Sequence, residues 1–264
     1  MKNKIPAILL IGVGRFGEKH LETLQMLEKK KKLSVAGAVV ATTKTQKKIT
    51  QKYNIPVWTK LTDELLASVD AVDIVTPPET HFKIAMKCLR FVNVLIEKPM
   101  AMTEAEAKKL AICAKKHKRI LMVGHIYRFH PVVKRLKSLL VPLKKETAII
   151  SGSFMNPENS DNGRPIAMEL PHLFDIIDYL FKLVPTVIST KTIGRATTVN
   201  IKYPQGKHAI FELGWKGDKK IRTIDFLFSK KEIRCDLIQN LIQINDLGSG
   251  ATKVITCSSE ISPL

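Results

Sequence analysis

The sequence predicts an α/β protein: a doubly wound parallel sheet, followed by an α+β domain with a large, mostly antiparallel sheet. Three observations predict it. Short apolar runs alternate with amphipathic stretches up to Val123. A glycine-rich turn follows the first apolar run directly. Beyond Lys145, most runs alternate apolar and polar side chains, which is typical of antiparallel strands with one covered face.

The first domain is predicted over residues 1–125. A continuous apolar run is typical of a parallel strand that is buried on both faces. The last predicted helix opens with a capping box, Thr103 with Glu106. The predicted strands are Ile5–Ile11, Leu33–Val40, Ala71–Val75, Asn93–Ile96 and Arg119–Val123. The predicted helices run from the glycine turn to Lys30, and over Lys44–Tyr53, Thr80–Phe91 and Thr103–His117.

The second domain is predicted over residues 126–264. It contains one clear helix, Leu170–Phe181, among strand-like runs that are joined by turn-forming residues. The predicted strands are Thr147–Met155, Thr186–Ile193, Thr197–Tyr203, His208–Trp215, Arg222–Phe228, Lys231–Leu237, Leu241–Ile244 and Thr252–Cys257.

Composition excludes several classes of protein. The 264 residues are 45% hydrophobic and 25% charged, as in an ordinary soluble globular protein. No apolar run approaches the roughly 18 residues that span a bilayer, and the first run is interpreted as a strand, not a signal peptide. We therefore expect a cytoplasmic protein without a membrane partner. The four cysteines lack metal-binding spacing, so we predict free thiols and no metal site.

The net charge of +19 raises the alternative of nucleic-acid binding. However, the lysines form scattered doublets, and the dense block Lys29–Lys32 lies at a predicted helix C-terminus, where the helix dipole favours cations. Only 6% of residues are aromatic, and none is interleaved with a basic stretch. The pattern favours a solvated lysine-rich surface, and we expect no nucleic-acid partner.

The glycine-rich turn has the spacing of a dinucleotide-binding loop. Gly12 permits a tight turn, Gly14 lets the backbone approach a pyrophosphate, and Gly17 lets helix and strand pack closely. Amides at the helix N-terminus would face the phosphates. The alternative is a simple turn between strand and helix. We predict a Rossmann domain whose cofactor loop comprises Gly12, Val13, Gly14, Arg15, Phe16 and Gly17.

Cofactor choice depends on the residues that follow the second strand. An NAD enzyme usually places an acidic residue there to bind the ribose 2′-hydroxyl. This chain has Thr42, Thr43 and Lys44, and no acidic residue occurs between Leu33 and Asp63. Hydroxyls and a lysine suit a 2′-phosphate, so NADP is preferred over NAD. The alternative is that Thr42 only caps the next helix.

Candidate catalytic groups follow the third and fourth strands, at the edge where open α/β sheets bind ligands. Thr76-Pro77-Pro78-Glu79-Thr80-His81 follows the third strand, and Glu97-Lys98-Pro99 follows the fourth. Desolvation near a cofactor would make Lys98 a usable proton donor or relay. The alternative is a surface lysine that pairs with Glu97.

These motifs, together with Gly124-His125-Ile126-Tyr127-Arg128-Phe129-His130-Pro131, resemble the glucose–fructose oxidoreductase / inositol dehydrogenase / MocA family in order and spacing. The resemblance covers the N-terminal half of the chain. It implies that Lys98 lies beside the nicotinamide and the substrate, and that the bond before Pro99 is cis. It also implies that Tyr127 and Arg128 line the cleft at the domain junction. The residues that it places around the cofactor are Thr76, Pro77, His81 and Glu97.

The family's third element is an acid–histidine–acid pattern on the first long helix of the second domain. Glu169, His172 and Asp175 are three residues apart and would share one helix face. His172 would accept a hydroxyl proton, since nearby carboxylates orient the ring and increase its basicity. Many members have an acid where this chain has Met168, so the role of Glu169 is left open. The alternative is a surface helix with a His–Asp pair.

Glu212-Leu213-Gly214-Trp215, with Lys220 and Arg222, resembles family members that are UDP-N-acetylglucosamine 3-dehydrogenases. Trp215 and the two cations would contact a nucleotide-sugar. The alternative is a strand with an exposed Lys/Arg edge. Compared with the family, the second domain is expected to be short at its C-terminus.

The resemblance and the motifs together predict an NAD(P)-dependent oxidoreductase. It would transfer a hydride between nicotinamide and a hydroxyl or keto group of a sugar or nucleotide-sugar. Lys98 and His172 are its predicted catalytic residues. The predicted substrate contacts are Tyr127, Arg128, Glu169, Asp175 and Trp215. The resemblance also implies a homo-oligomer, a dimer or tetramer. The alternative is a catalytically silent NAD(P)-binding regulatory protein.

Overall fold

The computed structural model describes residues 4–157, 166, 171–215 and 217–258. The chain divides into two compact units, and the boundary lies between Gly124 and His125. The four cysteines are free and buried, as predicted. Within the described ranges, no helix combines the length and the apolar character needed to cross a membrane.

The first unit is built on a six-stranded parallel sheet with the order β3-β2-β1-β4-β5-β6. The order reverses beside β1, which is the arrangement of a doubly wound dinucleotide-binding sheet. The predicted fold class is confirmed. The strands are β1 (Ala7–Ile11), β2 (Ser34–Val39), β3 (Val57–Trp58), β4 (Ala71–Ile74), β5 (Asn93–Ile96) and β6 (Leu121–Val123). The helices are α1 (Arg15–Lys29), α2 (Thr43–Tyr53), α3 (Asp63–Ala67), α4 (Pro78–Cys88) and α5 (Glu104–Lys116).

Buried apolar side chains place the central strands inside this unit. Leu9 and Leu10 point to opposite faces of β1, and neither is exposed to solvent. Each face therefore packs against helices, as the continuous apolar run predicts. Threonine hydroxyls cap α2, α3 and α5 by accepting backbone N–H groups of the first turn.

The second unit is built on an eight-stranded sheet with the order β14-β13-β12-β11-β7-β10-β9-β8. Only β7 and β10 pair in parallel, so the predicted, mostly antiparallel sheet is confirmed. The strands are β7 (Ala148–Asn156), β8 (Val187–Ile193), β9 (Ala196–Tyr203), β10 (Lys207–Trp215), β11 (Ile221–Leu227), β12 (Lys231–Asp236), β13 (Leu241–Asp246) and β14 (Thr252–Thr256). The helices are α6 (Pro131–Leu139) and α7 (His172–Phe181), with 3-10 turns at Ile126–Phe129 and Val141–Leu143.

One face of this sheet is covered by α6 and α7. Phe154, Phe211 and Phe226 lie on the covered face and are completely buried. The apolar stripe predicted on α7 packs into the same core. The opposite face exposes apolar side chains of the central strands, among them Ile149 and Ile210. The hydrophobic core of this unit thus lies on the face of the sheet that α6 and α7 cover.

Candidate functional site

The glycine loop has the backbone geometry of a phosphate cradle. Gly12 has a φ of +95°, and a Cβ there would lie 2.7 Å from the carbonyl oxygen of Val75. A Cβ on Gly17 would lie 2.2 Å from the carbonyl oxygen of Gly12. Gly14 precedes the first residue of α1, and nothing lies within 4 Å of its Cβ position. The open side at Gly14 therefore leaves room for a pyrophosphate at the N-terminus of α1.

The residues after β2 form the first turn of α2. The hydroxyl of Thr42 accepts the N–H of Thr45 at 3.2 Å, so the helix-capping alternative is observed. Thr43 and Lys44 are exposed beside it. In dinucleotide-binding folds, the residues at this position discriminate between the ribose 2′-hydroxyl and its phosphate. Here Thr43 and Lys44 are exposed, whereas the Thr42 hydroxyl caps α2.

His81 lies beneath the loops that follow β4 and β5. Its side chain is completely buried, and its ring nitrogens lie 2.8 Å from the carbonyl oxygens of Pro99 and Thr76. The ring donates to both oxygens only when both nitrogens carry a proton. Because it presents no surface to solvent, His81 holds the two loops together and does not line an open surface.

Lys98 lies two residues beyond the end of β5 and is partly exposed. Its backbone N–H donates to the Glu97 carboxylate at 3.2 Å, and its peptide bond to Pro99 is cis, as the resemblance implies. Glu97 itself is buried, with 8% of its surface exposed. Its carboxylate lies next to Gly124, where a Cβ would be 2.4 Å from Oε1. The end of β5 therefore places Lys98 over a buried carboxylate.

Sequence reasoning missed a buried cluster of ionisable side chains behind Lys98. Nδ1 of His20 on α1 is 2.8 Å from Oδ2 of Asp73 on β4, and Nε2 is 3.6 Å from Oε1 of Glu97. The signal was present, because Asp73 interrupts an apolar run that was assigned to a buried strand. We name the three side chains the His20 cluster.

Burial and charge shift the pKa values in this cluster. Burial opposes the charged form of His20, but the hydrogen bond to Asp73 and the charges of Asp73 and Glu97 outweigh it. The pKa of His20 is therefore raised. Burial raises the pKa of Glu97, and the charges of His20 and Lys98 act against that rise.

In the second unit, two predicted substrate contacts bind each other. Nε of Arg128 donates to Oδ1 of Asp175 at 2.9 Å, and Nη2 donates to the same oxygen at 2.5 Å. Nη2 also reaches Asp178 at 3.3 Å, and Nδ1 of His125 lies 3.5 Å from Asp175. The hydrogen bond to Asp175 raises the pKa of Arg128. The buried Asp175 carboxylate thus fixes Arg128, a pairing that sequence reasoning did not anticipate.

His172 is the first residue of α7 and is largely buried, whereas Glu169 lies outside the described residues. The rings of His172 and Tyr127 are 4.7 Å apart, and Tyr127 lies 5.3 Å from Phe154. The alternative of a surface helix is therefore wrong for His172. It belongs to an aromatic group at one end of the covered sheet face.

Arg222 completes this group. Only 5% of its surface is exposed, and its guanidinium lies 4.9 Å from the centre of the Phe154 ring. Nη1 donates to the carbonyl oxygens of Met155 and Ile221, each at 2.7 Å, and Nη2 donates to Asn156. Burial lowers the pKa of Arg222, and Tyr127 acts in the opposite direction. The alternative of an exposed cationic strand edge is wrong for Arg222.

Trp215 lies on the same covered face and is 4% exposed. Among the residues that the structure describes, neither its Nε1 nor the Nε of Arg222 has a hydrogen-bond partner, and both donors are buried. In the described part of the chain, no carboxylate forms an ion pair with Arg222. Buried charges in proteins are normally paired, so this end of the sheet has the donor set of an anion site.

Comparison with known proteins supports this assignment of the first unit. The model of the oxidoreductase family GFO_IDH_MocA, an NAD-binding Rossmann fold, matches residues 7–125. A stretch of 76 residues is 45% identical to UDP-N-acetylglucosamine 3-dehydrogenase of Acidithiobacillus ferrooxidans, covering 28% of this chain and 24% of the relative. Another of 131 residues is 31% identical to the rhizopine catabolism protein MocA of Rhizobium meliloti, covering 48% of this chain and 40% of the relative. The aligned stretches thus span less than half of either relative.

Solved structures resemble the chain over nearly its whole length. The UDP-N-acetylglucosamine 3-dehydrogenase GnnA from Acidithiobacillus ferrooxidans has a TM-score of 0.87 at 21% identity, covering 98% of this chain and 85% of that one. A levoglucosan dehydrogenase, in complex with NADH and levoglucosan, has a TM-score of 0.82 at 16% identity, covering 96% and 80%. At these identities the likeness establishes the fold.

Proposed function

We propose that this chain is an NAD(P)-dependent oxidoreductase acting on a sugar or nucleotide-sugar, since residues 7–125 match the model of the NAD-binding GFO_IDH_MocA oxidoreductase family. The observation that carries the proposal is the open cradle at Gly14, directly before the N-terminus of α1. Backbone amides there bind a pyrophosphate without any charged side chain. The loop Gly12–Gly17 would hold the dinucleotide, which would supply hydride transfer to or from the carbinol or carbonyl carbon of the substrate.

The cofactor residues divide by the part of the dinucleotide that they serve. The loop Gly12–Gly17 holds the pyrophosphate. Thr76, Pro77 and the end of β5 border the nicotinamide, and His81 supports them from below. Lys44 supplies a positive charge for a 2′-phosphate, so NADP is the preferred cofactor.

Lys98 and His172 are the proposed proton-transfer residues. In the oxidising direction, a neutral imidazole at His172 takes the hydroxyl proton of the substrate. Lys98 donates a charge-assisted hydrogen bond to the substrate oxygen and stabilises the negative charge that develops there as the proton passes to His172. Tyr127 packs against the His172 ring at 4.7 Å and limits its orientation.

The proposed substrate carries an anionic group. A guanidinium that is 95% buried needs a counter-charge, and Arg222 and Trp215 present unpartnered donors. A phosphate or diphosphate meets both requirements, because it accepts several hydrogen bonds. The relative of Acidithiobacillus ferrooxidans is named for UDP-N-acetylglucosamine, so a UDP-N-acetylhexosamine is the substrate to test first.

The uncovered face of the second sheet is a proposed homo-oligomer surface. Ile149 is 53% exposed and Ile210 is 45% exposed on neighbouring central strands. Apolar side chains in such numbers on one face are typical of a protein–protein contact. Sedimentation of the wild type should show a dimer or tetramer, and Ile210→Lys should shift it towards the monomer.

The test is turnover with UDP-N-acetylglucosamine and either oxidised cofactor, followed by the absorbance of the reduced nicotinamide. Lys98→Met should lower kcat about 10²- to 10⁴-fold, the range for loss of an acid–base group, with Lys109→Met as the exposed control.

The anion site is tested by Arg222→Met, which should raise KM strongly. Its control is Arg234→Met, since the Arg234 side chain on β12 is exposed. Cofactor binding without turnover across sugar phosphates and nucleotide-sugars would favour the silent regulatory alternative.

The preference for NADP is tested by measuring the dissociation constants for NADPH and NADH and taking their ratio. Lys44→Asp replaces the cation by an acid that accepts a hydrogen bond from the ribose 2′-hydroxyl. The ratio should move towards NADH by about tenfold or more, equivalent to about 1.4 kcal/mol. The proposal is wrong for NADP if the wild type binds NADH more tightly.

A further inference from the structure

The His20 cluster joins three elements of the first unit at one buried point. His20 comes from α1, Asp73 from the middle of β4, and Glu97 from the end of β5. Their exposed fractions are 5%, 3% and 8%. His20 and Asp73 have no role in the function proposed above, and Glu97 enters it only as part of the segment that borders the cofactor.

The geometry favours a cation between two carboxylates, although only the contact to Asp73 is short enough for a hydrogen bond. Each ring nitrogen of His20 faces a different carboxylate, at 2.8 Å for Asp73 and 3.6 Å for Glu97. A neutral imidazole donates from one nitrogen only, whereas the imidazolium presents N–H groups to both. Two carboxylates buried without a cation would be costly. Lys98 is the other charged group facing Glu97, and the edge of the Phe16 ring covers His20 at 4.9 Å.

Glu97 transmits this contact to the lysine. Its Oε1 faces His20, and its Oε2 accepts the backbone N–H of Lys98 at 3.2 Å. The space for the carboxylate exists because Gly124 has no Cβ. The backbone of Glu97 is fixed as well, since its N–H donates to the carbonyl oxygen of Ile74 at 2.9 Å. Glu97 is thus the side chain that contacts both the His20 ring and the main chain that carries the lysine.

We propose that His20 is a positioning residue for Lys98, which it holds through Glu97, and that it couples the helix of the phosphate cradle to the catalytic lysine. The effect of His20 on catalysis rests on the proposed function. The contacts from His20 through Glu97 to Lys98 involve only residues of the first unit. Through this cluster, α1 both faces the pyrophosphate and sets the electrostatic environment of the Lys98 amine.

The first test measures the reactivity of the Lys98 amine, by competitive acetylation and mass spectrometry at fixed alkaline pH. Loss of the imidazolium leaves Lys98 beside uncompensated carboxylates, so His20→Gln should slow its acetylation. Loss of the Glu97 charge has the opposite effect, so Glu97→Gln should accelerate it. Each change should be about tenfold, which corresponds to one pKa unit. His117→Gln, at the end of α5, is the control and should change nothing.

A purely structural role predicts the same sign for both variants, because each would only loosen the fold. Changes of the same sign, or no change in folded variants, overturn the proposal. If His20→Gln does not fold, the test is a ¹⁵N NMR titration of the His20 ring, compared between the wild type and Glu97→Gln. The ring should release its proton at lower pH in Glu97→Gln, and coinciding titrations overturn the proposal.

The acetylation and titration readouts need neither substrate nor cofactor. If the chain failed to bind NADPH or NADH, the proposed function would fail, and the opposite signs would still establish the contact. If the cofactor bound but the opposite signs were absent, only the role of His20 would fail.

Discussion

The two units bury charge in opposite ways. The first encloses two carboxylates around one imidazole, so the negative charge of the His20 cluster is compensated in part within the protein. The second encloses the Arg222 guanidinium, which only neutral groups among the described residues hydrogen-bond. A charge that the protein compensates serves its own structure. A charge that it leaves to neutral partners is suited to bind a ligand.

The largest effect that the comparison predicts is for His20→Leu. Removing the cation leaves Asp73 and Glu97 buried without compensation, and the loss of one partner from a buried ionic group costs about 3–5 kcal/mol. Urea unfolding should show this loss in the free energy of unfolding, while His117→Leu should change it little. If His20→Leu lowered the free energy of unfolding no more than His117→Leu, the cluster would not stabilise the first unit.

Arg222→Met should have the opposite sign. Replacing a buried cation that has no carboxylate partner among the described residues by an apolar side chain of similar length should leave stability unchanged or increase it by about 1–4 kcal/mol. The same variant should lose the thermal stabilisation that a nucleotide-sugar gives the wild type. A strongly destabilised Arg222→Met would show that the guanidinium serves the fold and not a ligand.

The His20 cluster should also make stability depend on pH. Because the pKa of His20 is raised above 6.5, its contribution is fully present below that pH and is lost as the pH rises through the folded-state value. The raised pKa of Glu97 acts in the same direction, since the buried carboxyl stabilises the fold below its ordinary pKa of 4.5 and loses that contribution as it ionises with rising pH. Unfolding of the wild type and His20→Gln should therefore differ most at acid to neutral pH and converge in alkali. A difference that grows with pH would contradict this.

The smallest effect concerns an exposed cluster of the first unit. Hydrogen bonds from Lys48, Lys52 and Tyr53 lower the pKa of Glu18 from 4.5 to about 2. The contribution of Glu18 is present above pH 4.5 and is lost as the pH falls towards 2. Glu18→Gln should flatten the acid limb of the stability profile without changing its alkaline limb. Equal acid slopes in both proteins would show that the ion pairs add nothing.

The sequence predicted the parts of the fold that have strong local patterns. The glycine turn and the apolar strands gave the doubly wound sheet, and the alternating runs gave the second sheet. β3 has two residues, which is too short for any periodicity. α6 was overlooked, although Val132, Val133 and Leu136 have helical spacing and are completely buried.

The candidate site was predictable where function follows a strand end, and less so where it depends on distant packing. The pairing of Arg128 with Asp175 joins residues that are 47 positions apart, and no local pattern indicates it. Arg222 did carry a signal, because it shares the parity of Ile224 and Phe226, which face the core. An arginine at a core-facing position of a strand indicates a buried guanidinium. Such a group needs a counter-charge, and no carboxylate among the described residues supplies one.

The most direct test of the central claim is calorimetric titration of the chain with NADPH and with NADH. The account predicts saturable one-to-one binding, tighter for NADPH. Binding should be lost in Gly14→Asp, which places a side chain and a negative charge in the cradle, and kept in Arg222→Met. Absence of saturable binding for both cofactors, or undiminished binding by Gly14→Asp, would contradict it.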